Sequence, residues 1–356
     1  MTSKIVTFGN IDEIIDDPIK NKKEINQPWT EKYRPHKIDD IVDHNEIKQS
    51  LKNFIESKSL PHLLLFGPSG SGKTSTIMCC ANELYDDYVN CMILRLNASN
   101  ERGIETVRTT IKQFVNSQSN FFVPDKYRNI FKIVILDEID AMTIEAQGML
   151  RQTIEKHSDT TRFCLICNDV DKINIALQSR CALFRFTPLK KKNMISKLQE
   201  IANIEKVSIE KSAINSIVNV SKGDMRSAIN ILQQLSLSGY TKITEKSVYK
   251  FSGHAMASVI IDIFDELMLL TNPNTKTKLN TVVENISNTI INYNLTLYNL
   301  LDELKKIIID TDNLSEDKKL YILDILAESE KFDAVNIGHK FIVMYIAGIF
   351  KSCTTI

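Results

Sequence analysis

Five short apolar runs set the architecture open to the first half of this 356-residue chain: "HLLLF" (62–66), "MILRL" (92–96), "KIVIL" (132–136), "FCLIC" (163–167) and "ALFRF" (182–186). Each is too short for a buried helix, and each is nearly continuous, which is the pattern of a strand covered on both faces. Helical periodicity fills the intervals, near 45–57, 73–85, 104–118 and 143–156. Strands alternating with helices predict an α/β domain built on a parallel sheet. After "TPLKKKN" (187–193) the strand signals stop. The stretches 191–204, 210–220 and 224–237 read as a small helical bundle broken at Gly223 and Gly239. From His254 onward, "LYNLLDELKKIII" and "FIVMYIAGIF" predict a further all-helical domain. The expected division is a flexible acidic tail over 1–27, an α/β domain over 28–189, a helical bundle over 190–253 and a helical domain over 254–356.

Between the first strand and the next helical stretch lies "GPSGSGKT", residues Gly67, Pro68, Ser69, Gly70, Ser71, Gly72, Lys73 and Thr74, followed by Ser75. This is a glycine-rich phosphate loop in its required setting, strand before and helix after. Glycines let successive backbone N–H groups converge on phosphate oxygens, and the helix that follows presents its positive end to them. Lys73 is placed for the β- and γ-phosphates, and the Thr74 hydroxyl for Mg²⁺. The run "KIVILDEID" supplies the complementary half. Asp137 ends an apolar strand where it can hold Mg²⁺ directly or through water, and Glu138 can polarise a water for attack on the γ-phosphate. Together the two motifs predict a site that hydrolyses a nucleoside triphosphate.

Composition narrows the remaining classes. Lys plus Arg and Asp plus Glu number 44 each, so any nucleic-acid contact needs basic residues segregated on one surface or supplied by partners. No run of about 18 apolar residues exists and Met1–Lys20 has no hydrophobic signal core, so the chain is expected to be neither membrane-spanning nor secreted. Seven cysteines, an odd number, make no disulfide framework. Cys164 and Cys167 form a CxxC, but inside an apolar run without a second pair, and read as buried strand thiols. His62, at the edge of a buried strand, reads as structural.

The motifs occur in an order that resembles one family. "PWTEKYRP" (28–35), the phosphate loop, "LRLNASNERGI" (94–104), "ILDEIDAMT" (135–143), "TRFCLICN" (161–168), "LQSRC" (177–181) and "GDMRSAINILQ" (223–233) are similar to the small subunits of replication factor C, the clamp loaders among the AAA+ ATPases. "LPHLLLFGP", "AMTIEAQGMLRQTIE" and "NIALQSRC" narrow the resemblance to one branch of that family. It implies a five-stranded parallel AAA+ sheet, a helical lid and an all-α collar that joins five subunits. It also implies residue roles. Thr30, Tyr33, Arg34 and Val42 match positions lining the adenine side of the pocket. Asn168 matches sensor 1, which positions the attacking water or reads the γ-phosphate. Arg226 matches sensor 2, which closes the lid over ATP, and Arg180 matches an arginine finger that enters the neighbouring subunit's site. Taken singly, Arg180 and Arg226 would read as surface or salt-bridged arginines; the motifs around them assign the roles.

The same resemblance implies partners: the other replication factor C subunits in a heteropentamer, the sliding clamp PCNA, and primer–template DNA, with action in the nucleus and no membrane. ATP binding would order the assembly on clamp and DNA, and hydrolysis, expected to need the assembled complex, would release them. An alternative or checkpoint loader with a different large subunit is the second reading; a metabolic phosphate-loop kinase has no use for a trans finger, lid sensor and collar. Arg108, Lys112 and Arg151 match residues that track duplex backbone, and read equally as ordinary exposed helix charges. Phe114, Phe121 and Phe122 fall where relatives touch the clamp, and suit core packing as well. Lys190, Lys191 and Lys192 read as a solvated hinge. Four positions depart from the family pattern: Ser69 and Ser71 in a loop that is commonly GPPGTGKT, Asn100 for an aspartate, and Gln152 for an arginine.

Overall fold

The computed structural model describes residues 27–98, 104–116, 130–254, 256–271, 278–312, 314–333 and 339–353. The acidic tail over residues 1–26, Asn100, Phe121, Phe122 and the side chain of Arg108 lie outside the described residues. The chain forms two compact units, one comprising residues up to Met194 together with Gly223–Asn230, the other Ile195–Lys222 with Ile231–Ile356.

All five expected strands form, within two residues of their expected ends: β1 (Leu63–Phe66), β2 (Ile93–Asn97), β3 (Lys132–Asp137), β4 (Thr161–Cys167) and β5 (Ala182–Arg185). They make one parallel sheet in the order β2-β3-β4-β1-β5, with Leu63 opposite Cys164 and Ala182. The helices of this unit are α1 (Trp29–Lys32), α2 (Asn45–Glu56), α3 (Lys73–Tyr85), α4 (Val89–Met92), α5 (Ile104–Asn116), α6 (Ile144–His157) and α7 (Ile175–Gln178). Side chains alternate across the sheet, so its two faces carry separate cores. Leu63, Leu65, Ile133, Ile135, Cys164 and Ile166 pack with Leu51 of α2 and Ile77, Cys80, Ala81 and Tyr85 of α3. Leu64, Val134, Leu136, Phe163, Leu165 and Cys167 pack with Ile111 of α5 and Leu150 and Ile154 of α6. Burial of one such leucine contributes about 1.5–3 kcal/mol. This two-faced burial is why the strand runs are continuous rather than alternating.

The same alternation settles the CxxC. Cys164 faces one core and Cys167 the other, so the two thiols cannot share a ligand. All seven cysteines are free; six are buried and Cys91 is exposed. Burial pushes the Cys79, Cys80 and Cys167 thiols up to about 12 and Cys181 to about 11.

Beyond β5 the described chain is helical: α8 (Lys191–Ile204), α9 (Lys211–Ser221), α10 (Met225–Leu237), α11 (Glu245–Ser252), α12 (Ala257–Met268), α13 (Leu279–Tyr293), α14 (Leu297–Asp310), α15 (Glu316–Asp333) and α16 (His339–Ser352). In the second unit α9 packs on α11, α13 on α16, and α14 on α15. Val259, Phe264, Leu301, Leu304, Ile346 and Phe350 are among the side chains of one apolar core there. Among the described residues no helix is long and apolar enough to cross a membrane.

Candidate functional site

The phosphate loop leaves the C-terminal end of β1, the edge at which open parallel sheets receive ligands. Two of its glycines are required by their surroundings. Gly67 has φ +141°, and a Cβ there would stand 2.1 Å from the Phe186 carbonyl oxygen. Gly70 has φ +61°, and a Cβ would stand 1.8 Å from Asp224 Oδ1. The loop then turns into α3, whose first residue is Lys73.

Lys73 is 7% exposed and its ammonium donates to Gly67 O (2.7 Å), Pro68 O (2.9 Å) and Asn168 Oδ1 (3.0 Å). Burial holds its pKa below the ordinary lysine value; Asp137 and Asp140 oppose that shift and Arg226 adds to it. Arg226 itself belongs to the first turn of α10. Thr74 Oγ1 donates to Asp137 Oδ2 at 3.0 Å. A hydroxyl and a carboxylate side by side are the hard oxygen donors that Mg²⁺ takes, and a cation among acceptors at a helix start suits phosphate, so the residues present fit both groups. Ser71 Oγ donates to Pro68 O at 2.8 Å and is buried, so it braces the loop. Beside the loop opens a cleft of about 600 Å³ lined by Phe66, Gly67, Pro68, Asn168 and Arg185.

Glu138 follows β3, is exposed, and adopts the left-handed region with φ 56°, a conformation costly for a residue with a Cβ. Its N–H donates to Asp137 Oδ1 at 3.2 Å. Asn168 and Asp169 both donate their backbone N–H to Asp140 Oδ2, at 3.1 and 3.3 Å, which fixes the end of β4 against the turn after β3. The segment carrying Thr30, Tyr33, Arg34 and Val42 is tied to α3: Cys79 Sγ donates to Pro35 O (3.1 Å), Asn82 Nδ2 to His36 O (3.3 Å), and the Ile38 N–H to Glu83 Oε1 (2.8 Å). Trp29 meets the Tyr33 ring edge-on at 6.4 Å. Lys190 engages Asp43 through both its N–H (2.8 Å) and its ammonium (3.7 Å), so this member of the lysine run is anchored.

Arg180 does not join its own phosphate loop. Its Nη1 donates to Ala176 O at 2.7 Å and its Nη2 pairs with Glu155 on α6. Glu155 also pairs with Arg151 at 3.6 Å, one turn away. Lys112 lies on α5, where its charge helps depress His157 of α6, an effect led by burial. Phe114 is partly buried against the second core and its ring carries Lys132 Nζ at 5.0 Å, so its packing role is realised.

Sequence reasoning passed over Arg95, which reaches Asp137 Oδ2 at 3.4 Å, and Gln147. Buried on α6, Gln147 donates to Met142 O and Lys172 O and accepts the Asn174 N–H at 2.7 Å. It thus joins α6 to the turn that leads into the segment bearing Arg180. A polar residue on the inward face of a helical pattern was its one sequence signal.

Comparison with known proteins agrees with this geometry. The model of the AAA family, ATPases associated with various cellular activities, matches residues 63–189, and that of the RCF1/5-like AAA+ ATPase lid domain matches 196–237. A replication factor C small subunit of Acanthamoeba polyphaga mimivirus is 55% identical over 338 residues, 95% of this chain and 97% of the relative. Human replication factor C subunit 5 is 39% identical over 92% of each chain, and a small subunit from Sulfurisphaera tokodaii is 40% identical over 85% of this chain and 88% of its own. At these identities and coverages, the chain belongs to the replication factor C small-subunit family, with subunit 5 proteins among its relatives.

Proposed function

We propose that this chain is an ATP-driven subunit of a clamp loader, acting with other replication factor C subunits to place a sliding clamp on primer–template DNA during DNA replication. The observation that carries the reading is the Lys73 ammonium, buried at a helix start and held by two loop carbonyls and Asn168, beside the Thr74–Asp137 pair. Those contacts are ones that phosphate oxygens can replace. Mg²⁺, held by Thr74 and Asp137, would offset charge on the β- and γ-phosphates. Lys73 and the loop N–H groups bind and orient the triphosphate. Asp140 fixes the end of β4, so Asn168 meets the γ-phosphate side in one orientation. Glu138, held at the turn after β3, takes the proton of the attacking water. Arg226 caps the triphosphate, and Arg180, facing away from its own loop, is free to serve the next subunit once Glu155 lets it go.

The test is single-turnover hydrolysis in the assembled complex. Arg180→Ala should leave this chain's own ATP affinity unchanged and slow the adjacent site by about 10³-fold or more, the value of a finger that neutralises charge on the transferring group. Glu138→Gln should bind ATP normally and stop turnover at its own site. An unchanged neighbouring rate in the Arg180 variant, with full turnover in the Glu138 variant, would sink the shared-site mechanism.

A further inference from the structure

Arg226 is the second residue of α10, and that first turn is fastened to the phosphate loop by groups 155 positions away in sequence. Ser69 Oγ donates to Asp224 Oδ2 at 2.8 Å, and the Met225 N–H donates to Gly70 O at 3.3 Å. Asp224 divides its carboxylate between two tasks. Oδ1 accepts the Ser227 N–H at 2.9 Å and so caps the start of α10, while Oδ2 takes the loop hydroxyl. The close approach depends on Gly70, since any side chain there would meet the same carboxylate. The Ser69 hydroxyl is thus directed to the lid helix, leaving phosphate recognition to the backbone and Lys73.

We propose that Ser69 is a positioning residue: its hydroxyl, bound to Asp224, holds the first turn of α10 on the phosphate loop so that Arg226 is in place before the triphosphate arrives. This rests on the nucleotide reading of the loop given above. The physical basis is preorganisation. A helix start already fixed to the loop loses no backbone freedom when Arg226 meets its ligand, whereas a released turn must be ordered at the moment of binding, and affinity falls by that amount. The carboxylate acceptor makes the bond stronger than a neutral one, and its exposure makes it weaker than a buried one.

The experiment measures ATP binding by the full chain in five variants. Ser69→Ala should weaken ATP binding about 3- to 10-fold, the range for one partly exposed hydrogen bond to a charged acceptor. Ser69→Thr, which keeps the hydroxyl, should recover most of the loss. In an Arg226→Ala background, Ser69→Ala should add less than about twofold, because residues acting through one another are not additive. The same 3- to 10-fold loss with and without Arg226 would show Ser69 acting on the loop alone and overturn the proposal, as would full affinity in Ser69→Ala. Lys73→Ala serves as the control for the underlying reading: it should abolish most ATP binding whatever Ser69 does. Retained binding in that variant would overturn the nucleotide reading itself, a result distinct from a failure of the Ser69 strap alone.

Discussion

The sheet-bearing unit and the helical unit spend their irregularities differently. In the first, residues with positive φ and a Cβ include Asp43, His44 and Glu138 around the site, besides Lys58 and Asp86 at the ends of α2 and α3, and a lysine is buried among carbonyls. In the second, Lys222 and Asn294 adopt the same backbone region, but as the residues that end α9 and α13, where a left-handed turn is an ordinary helix stop. Its apolar core runs from Val259 to Cys353, and the buried Ser329 hydroxyl donates to Leu326 O. A left-handed turn at Glu138 and a buried cation mark chemistry in the first region, and in the second the left-handed residues only follow helix ends.

That contrast is exposed to test. Lys73→Ala should cost about 2–5 kcal/mol of nucleotide binding, roughly 30- to several-thousand-fold, since it leaves bound phosphates without their buried cation. Its thermal unfolding should barely change, because the cation removed is one that burial already disfavours. Phe350→Ala should do the reverse. It removes a fully buried ring, for about 3–5 kcal/mol of stability, and should leave nucleotide affinity where it was. Calorimetry of binding and of unfolding on both variants decides the matter; a large stability loss in the first, or a large affinity loss in the second, would erase the distinction.

Smaller effects sharpen it. Replacing Arg108, Lys112 and Arg151 together should weaken DNA binding of the assembled complex about equally for all sequences. It should also flatten the salt dependence by roughly 0.9 for each phosphate that is no longer neutralised. An unaltered salt slope would put the DNA path elsewhere. The least effect concerns acid. Burial lowers the pKa of His44, His62 and His157, all in the first unit, and Arg162 lowers His62 further. His62 Nδ1 accepts the Phe163 N–H at 3.1 Å, which only the neutral ring can do. A folded-state pKa below the unfolded value near 6.5 means these groups favour folding fully above that pH and progressively less as pH falls through it toward the lowered value. Denaturant midpoints between pH 7 and 5 should therefore drop, and His62→Gln should make that drop shallower.

Local signals carried most of the fold. A run such as "KIVIL" needs only its own composition to be a doubly covered strand, and the phosphate loop needs only its neighbours on either side. What stayed hidden were pairings set by topology. Ser69 with Asp224, Glu155 with Arg180, and Gln147 with the 172–174 turn each join residues whose spacing carries no periodic mark. Asp224 illustrates the limit: it stands two positions from Arg226 in a recognised motif, yet its bond to the loop exists only once the chain has returned after α9. The CxxC shows the opposite case, where its apolar run and lack of a second pair were enough to read the two thiols as buried.

The distribution of cysteines has a practical consequence. Maleimides and iodoacetamides react with thiolates, and six of the seven thiols are enclosed, several with their ionisation pushed up by burial. Cys91, just ahead of the strand at one edge of the sheet, stands in solvent. The native chain can therefore carry a single fluorophore or spin label there without any residue being replaced. Such a label sits at the opposite sheet edge from β5, the strand that follows Arg180, and offers a fixed reference point for following assembly by energy transfer.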